Sequence, residues 1–120
     1  MSSDNVTDPE PVLVSAKVIL HAGNARTLAY GALQAADEGD LTRAAHNLEK
    51  AEEEISGAHQ TQTQLIQAEA RGEGVALTLL LTHAQDTLMV AISEVQMARR
   101  MLGLYRRLQR LEARLGHAGQ

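Results

Sequence analysis

The chain has no cysteine, no tryptophan, no phenylalanine and only two tyrosines. Without thiols there is no disulfide framework, no thiolate nucleophile and no cysteine-based zinc site. So few aromatics argue against a β-sandwich or barrel. Proline is nearly absent too: Pro9 and Pro11 are the only two, both in the first dozen residues. No stretch approaches the roughly 20 consecutive apolar residues of a bilayer span, so direct membrane insertion is not expected. The N-terminus, MSSDNVTDPEP, lacks a basic n-region and an apolar h-region, and a cytoplasmic location is the expectation. What remains, in 120 residues suited to one domain, is dominated by 19 alanines and 17 leucines. That composition favours helices.

Charge is unevenly spread. Residues 1–73 carry 5 basic and 12 acidic groups, a net of −7, whereas residues 74–120 carry 6 and 3, a net of +3. All six of those basic groups are arginines, between Arg99 and Arg114. They read as a solvated helix face or as a docking patch for an acidic partner. Nucleic acid is not expected, because the chain as a whole is acidic and lacks aromatic stacking platforms.

The pattern predicts an all-α, antiparallel three-helix bundle of long helices over residues 12–115, between a disordered arm (1–11) and a flexible tail (116–120). The first helix runs over about 12–37, through Val12, Ala16, Ile19, Gly23, Tyr30 and Leu33. Glu38-Gly39-Asp40 breaks it, with Gly39 suited to a helix end and Asp40 to the next N-cap. The second helix, 41–69, has a seven-residue repeat: Leu41, Leu48, Ile55, Gln62 alongside Ala44, Ala51, Ala58, Leu65. Glu49, Glu52 and Glu53 lie on its opposite, wet face. Arg71-Gly72-Glu73-Gly74 is the second break, and a third helix spans 75–115.

The third helix carries two apolar seams. Leu77, Leu81, Ala84, Leu88, Ala91, Val95, Ala98 and Leu102 suffice to pack on the other helices. Leu79, His83, Val90, Met97, Met101, Leu104 and Leu108 form a second stripe, about 140° around the cylinder. One stripe is enough for a surface helix of a monomer. The economical cover for the second is another copy of the chain.

His83 and Asp86 interrupt that second stripe, three apart and therefore on one face. A carboxylate in an apolar contact is costly unless it is paired or metal-bound. On a symmetry axis, three copies of Asp86 about 4 Å apart would repel by several kcal/mol per pair at an effective dielectric near 20. A cation or a proton would relieve this. The bland alternatives are a hydrogen-bonded structural histidine and a carboxylate at the solvent rim. His83 and Asp86 of one chain do not close a metal site, since two ligands are too few. His21, His46, His59 and His117 read as surface or packing residues. A lone imidazole without a second base, hydroxyl nucleophile motif or Gly-rich phosphate loop lacks the parts for hydrolysis. It can still accept a phosphoryl group reversibly, with Thr82 and Gln85 as hydrogen-bond donors.

The segment Leu80-Leu-Thr-His83-Ala-Gln-Asp86-Thr-Leu-Met89 resembles the active-site stretch of the lactose/chitobiose-type IIA components of the phosphoenolpyruvate-dependent sugar phosphotransferase system. Two more stretches agree in order: Gly23-Asn-Ala-Arg26-Thr-Leu-Ala-Tyr30-Gly-Ala-Leu33, and Ala58-His59-Gln-Thr-Gln-Thr63-Gln-Leu-Ile66 followed by Glu69-Ala-Arg-Gly72-Glu-Gly74. The resemblance implies a homotrimer of three-helix subunits. It implies that His83 is phosphorylated on Nε2 by the phosphocarrier HPr, with Gln85 hydrogen-bonding the phosphoryl group. The group then passes to a cysteine of a IIB component, which serves the membrane component IIC during uptake of a lactose-, cellobiose- or chitobiose-type disaccharide. It further implies that Asp86 from three subunits meets a divalent metal ion at the trimer axis, one per trimer, with Mg2+ the expected ion. Two features depart from the family: Thr87 stands where a second histidine is common, and the arginine-rich end, Arg106–Leu115, is longer than usual. The alternative reading is a non-enzymatic trimeric helical adaptor or a regulatory protein.

Overall fold

A computed structural model describes residues 10–118, with side chains described from 12 to 117. The expected N-terminal arm therefore lies almost wholly outside the described residues. All secondary structure described is helical: α1 (Glu10–Asp37), α2 (Leu41–Ala70) and α3 (Leu79–Ala118). α1 packs extensively on α2 and on α3, while the α2–α3 interface is thinner. Among the described residues no helix is long and apolar enough to cross a membrane.

Both breaks end in the same device. Gly39 (φ 85°) and Gly72 (φ 83°) take the left-handed conformation that costs glycine least. Across each, the next amide reaches back to the helix: Asp40 N–H to Ala35 O at 2.9 Å, and Glu73 N–H to Ala68 O at 3.0 Å. These six-to-one bonds satisfy carbonyls that the helix end would otherwise orphan. Asp40 then caps α2, its carboxylate accepting the Arg43 N–H at 3.1 Å.

The third helix begins four residues later than the sequence pattern suggests, at Leu79 rather than 75. Residues 73–78 are non-helical, and Thr78 supplies the start signal. Its hydroxyl accepts the Leu81 N–H at 3.0 Å, and its carbonyl accepts the Thr82 N–H at 3.0 Å. Leu77, expected on the first seam, consequently precedes the helix and is exposed. At the other end α3 continues to Ala118, past the expected 115, taking in the first part of the expected tail. Residues 119–120 lie outside the described residues.

The seams of α2 and α3 follow the repeats in part: Leu77 is exposed, and Leu41, Ile55, Gln62 and Leu65 of α2 are only half-buried. Ala44, Leu48, Ala51 and Ala58 are buried on α2, and Leu81, Ala84, Leu88, Ala91, Val95, Ala98 and Leu102 on α3. α1 differs. Its buried face is Ser15, Val18, Ala22, Ala25, Ala29, Ala32, Ala35 and Ala36, while Val12, Ala16, Gly23 and Tyr30 are exposed. The wider apolar residues mark the rim, and the alanines mark the centre. Small side chains let the axes of three helices come close, which a leucine-rich α1 face would prevent.

Large buried residues are therefore few, and each carries much of the core. Leu88 is fully buried with Val18, Ala58 and Ala84, and Ile19, Ile55 and Ile92 pack around them. Leu88→Ala is expected to lower unfolding free energy by about 2–5 kcal/mol. The same change at exposed Met89 should stay within about 0.5 kcal/mol. Urea denaturation followed by circular dichroism checks both.

Candidate functional site

α3 presents two faces of opposite fate. The first seam is buried against α1 and α2. Along the second, Leu79, Val90, Met97, Met101, Leu104 and Leu108 are between 39% and 86% exposed. Leu111 and Leu115 extend it, again exposed. The upper figure belongs to Leu79 at the helix start; even the lower leaves Met101 well wetted. Such a continuous apolar strip is more than isolated surface leucines explain.

His83 stands on this strip, exposed, in the second turn after the Thr78 cap. Helical side chains lean toward the N-terminus. The imidazole accordingly overlies the first turn of α3, where the helix dipole favours negative charge. Asp86 follows three residues on, also exposed. Among the described residues no ion pair engages its carboxylate. Among them, too, no three His, Cys, Asp or Glu residues are grouped to hold a metal ion. One subunit brings a single carboxylate to this face, so a metal there needs carboxylates from further copies. Oxygen donors of that kind suit a hard divalent cation.

Neighbouring polar side chains differ in their reach. Thr82 Oγ1 donates to the Thr78 carbonyl at 3.1 Å, and Thr87 Oγ1 donates to the His83 carbonyl at 2.8 Å. Thr87 thus spends its hydroxyl on its own helix. Gln85 is half-buried and, two residues beyond His83, lies about 200° around the helix. It does not share the His83 face within one subunit.

A polar cluster between α1 and α3 escaped the sequence reading. Arg26 Nε donates to Glu94 Oε1 at 2.5 Å, and Tyr30 Oη donates to Glu94 Oε2 at 2.5 Å. The Arg26 hydrogen bond, then that of Tyr30, holds the Glu94 carboxyl below the usual range. Donation to Glu94 pushes the Tyr30 hydroxyl up. Tyr30 and Glu94 border a shallow groove of about 130 Å³, whose other walls include Leu33, Met97 and Met101. Arg26 and Tyr30 are four apart on α1, a spacing that places them side by side. Their partner lies more than 60 residues away, beyond any local pattern. Further along, Tyr105 donates to Asp37, and this also raises its hydroxyl pKa.

Both tyrosines are therefore expected to ionise above the ordinary value of about 10 in the folded chain, and at about 10 in denaturant. Raised acid pKa values favour the fold below the ordinary value, a contribution lost as pH rises through the raised one. Glu94→Gln should return Tyr30 toward normal and leave Tyr105 raised. Ultraviolet titration of the tyrosinates reads this directly.

A bundle of long helices that leaves a lone imidazole on an uncovered apolar strip fits a protein that docks on partners and hands on a group. Residues 13–106 match the family described as PTS system, lactose/cellobiose-specific IIA subunit. The lichenan-specific phosphotransferase enzyme IIA component of Bacillus subtilis is 47% identical over 92 residues, covering 77% of this chain and 84% of that one. The lactose-specific EIIA component of Lacticaseibacillus casei is 39% identical, covering 88% and 95%. Among solved structures, the cellobiose-specific enzyme IIA from Bacillus anthracis superposes with a TM-score of 0.79 at 40% identity, covering 91% and 94%. An Escherichia coli IIA(chitobiose) solved in complex with HPr gives 0.72 at 30% identity, covering 82% and 96%. The chain belongs to the lactose/cellobiose IIA family and is a phosphotransferase component of the sugar phosphotransferase system. The non-enzymatic adaptor reading is thereby set aside.

Proposed function

We propose that His83 carries the phosphoryl group. The observation that carries this reading is the exposure of His83 within its HAQD segment, on a strip that the subunit itself leaves uncovered. The donor is the phosphohistidine of HPr, as the HPr complex of the chitobiose relative supports. The lone pair of His83 Nε2 attacks phosphorus while the donor's N–P bond breaks. One N–P bond replaces another, and the phosphoryl oxygens keep their charge. The acceptor is a thiolate of the cognate IIB component: an S–P bond forms and Nε2 recovers its lone pair. The eventual substrate is a disaccharide of the lactose, cellobiose or chitobiose type, reached through IIC.

Such an exchange needs positioning and modest electrostatic support. The first turn of α3 supplies part of it. Gln85 supports the phosphoryl oxygens from a neighbouring subunit, since its own helix turns it away from His83. This follows if the chain is a homotrimer whose second seams face one another, as their exposure supports. Three copies of Asp86 then converge, and a divalent cation, Mg2+ by its preference for oxygen ligands, would be held there. It would supply neutralisation of the clustered carboxylates.

The reading is tested by reconstitution. The chain is incubated with phosphoenolpyruvate, enzyme I and HPr, and then with a panel of purified IIB domains. Acid-labile phosphate on this chain, followed by transfer to one IIB, is the expected result. No labelling overturns it; labelling without transfer to any IIB favours a regulatory role.

A further inference from the structure

The family match ends at residue 106, yet α3 continues to Ala118. Every residue from Arg106 to His117 is exposed. The last tie to the rest of the bundle is the Gln109 side-chain amide, which donates to the Gly39 carbonyl at 3.3 Å. From Arg110 onward the helix projects past the α1–α2 turn by about 13 Å. A polar single helix of this length gains nothing by projecting alone.

The nine arginines of the chain divide sharply. Arg26, Arg43, Arg71 and Arg99 are each ion-paired, with Glu94, Glu38, Glu73 and Glu52. Among the described residues no ion pair engages Arg100, Arg106, Arg107, Arg110 or Arg114, and all five are exposed. The acids nearest this end are already occupied. Asp37 accepts from Tyr105, Glu38 lies 3.6 Å from Arg43, and Asp40 caps α2. Residues 100–117 carry five arginines and one acid, Glu112, a net of +4, against −8 for the rest of the chain.

The free charge is also ordered around the helix. Leu104, Leu108, Leu111 and Leu115 form one exposed stripe. At 100° per residue, Arg107 and Arg114 lie about 60–80° to one side of Leu104, with Arg110 and Arg106 further round the same way. Glu112 lies about 80° to the other side. Leu104, Leu108 and Leu111 line one shallow trough together with Arg107, Arg110 and Arg114. A helix with an apolar stripe and a basic face suits the boundary between lipid headgroups and acyl chains. The guanidinium fork matches phosphate oxygens, and the long stem lets the charge reach them while leucine sinks deeper. A soluble acidic partner would need a cleft shaped to this convex helix, whereas a fluid surface needs only charge and a stripe.

We propose that residues 106–117 dock on an anionic membrane surface, with Arg107, Arg110 and Arg114 among lipid phosphates and Leu111 and Leu115 at the acyl boundary. The site lies outside the family match and at the end of α3 remote from His83. On the function proposed above, it holds the carrier beside the membrane that houses IIC while the His83 end stays open to partners.

The full chain is tested on vesicles of phosphatidylcholine with about one-third phosphatidylglycerol, and on phosphatidylcholine alone; clusters of four or more basic residues on an amphipathic helix favour the anionic surface. Cosedimentation with the anionic vesicles only, weakening as salt rises, is the expected result. Replacing Arg107, Arg110 and Arg114 together by Gln should lower partitioning about a hundredfold, at roughly fivefold per arginine. The chain has no tryptophan, so a single one reports depth. Leu115→Trp emission should shift to the blue on anionic vesicles and be quenched by brominated acyl chains; that of Ala113→Trp, on the opposite face, should do neither. No binding, equal binding to both vesicles, or binding that survives the triple Arg→Gln change overturns the proposal. So does a Leu115→Trp signal that lipid leaves unchanged. Binding to poly-glutamate but to neither vesicle overturns it in favour of an acidic protein partner. No phosphoryl donor is present in these measurements, so their failure leaves the reading of His83 standing.

Discussion

His83→Ala is expected to abolish incorporation of acid-labile phosphate from phosphoenolpyruvate, enzyme I and HPr. Loss should be complete, because no other histidine shares its setting. His21 is tied to Glu54, with Nδ1 2.9 Å from Oε1, and His46, His59 and His117 lie exposed on surfaces away from the free strip. The fold should be untouched: an exposed side chain early in α3 is replaced by the best helix former. Circular dichroism and sedimentation should match those of the unaltered chain. Phosphate uptake by His83→Ala at anything near the original level would show that the carrier is another residue. Gln85→Leu should behave differently. It retains the acceptor nitrogen and should slow transfer by about ten- to a hundredfold if a phosphoryl hydrogen bond is lost, a cost of about 1.5–3 kcal/mol.

The second large effect concerns assembly. In the proposed homotrimer, Asp86→Leu is expected to strengthen association in metal-free buffer. Three carboxylates about 4 Å apart repel with roughly 4 kcal/mol per pair at an effective dielectric near 20. Water penetration and proton uptake reduce that figure, but even a small part of it moves subunit dissociation by orders of magnitude. Leucine removes the repulsion and adds apolar area to a strip already made of Leu79, Val90 and Met97. With a divalent cation present, the unaltered chain should recover much of the difference, since the ion neutralises what leucine deletes. Analytical ultracentrifugation with and without chelator measures both arms. A weaker oligomer for Asp86→Leu under chelation would contradict the repulsion account.

Different parts of the protein were legible to different degrees, for identifiable reasons. α2 and α3 announce themselves through sevenfold repeats of large and small residues, which one period of 3.6 residues per turn converts directly into a buried face. α1 misleads, because its large apolar residues sit at the rim and its alanines at the centre. Hydrophobicity ranks side chains by size, whereas close helix approach selects small ones. Within the site, the shared face of His83 and Asp86 follows from a spacing of three on any helix. The Arg26–Glu94–Tyr30 cluster does not follow, since it joins α1 to α3 across more than 60 positions and only packing brings the groups together.

From its order of residues alone, this chain specifies three helices, the turns at Gly39 and Gly72, and an imidazole and a carboxylate on one stripe of α3. Those are local matters, governed by periodicity, capping and the conformational freedom of glycine. The tertiary structure decided which stripe of α3 is covered and which stays open, and that α3 outruns its bundle. Each depends on where other helices end and how closely they approach. No local pattern carries that information, because burial is a property of neighbours.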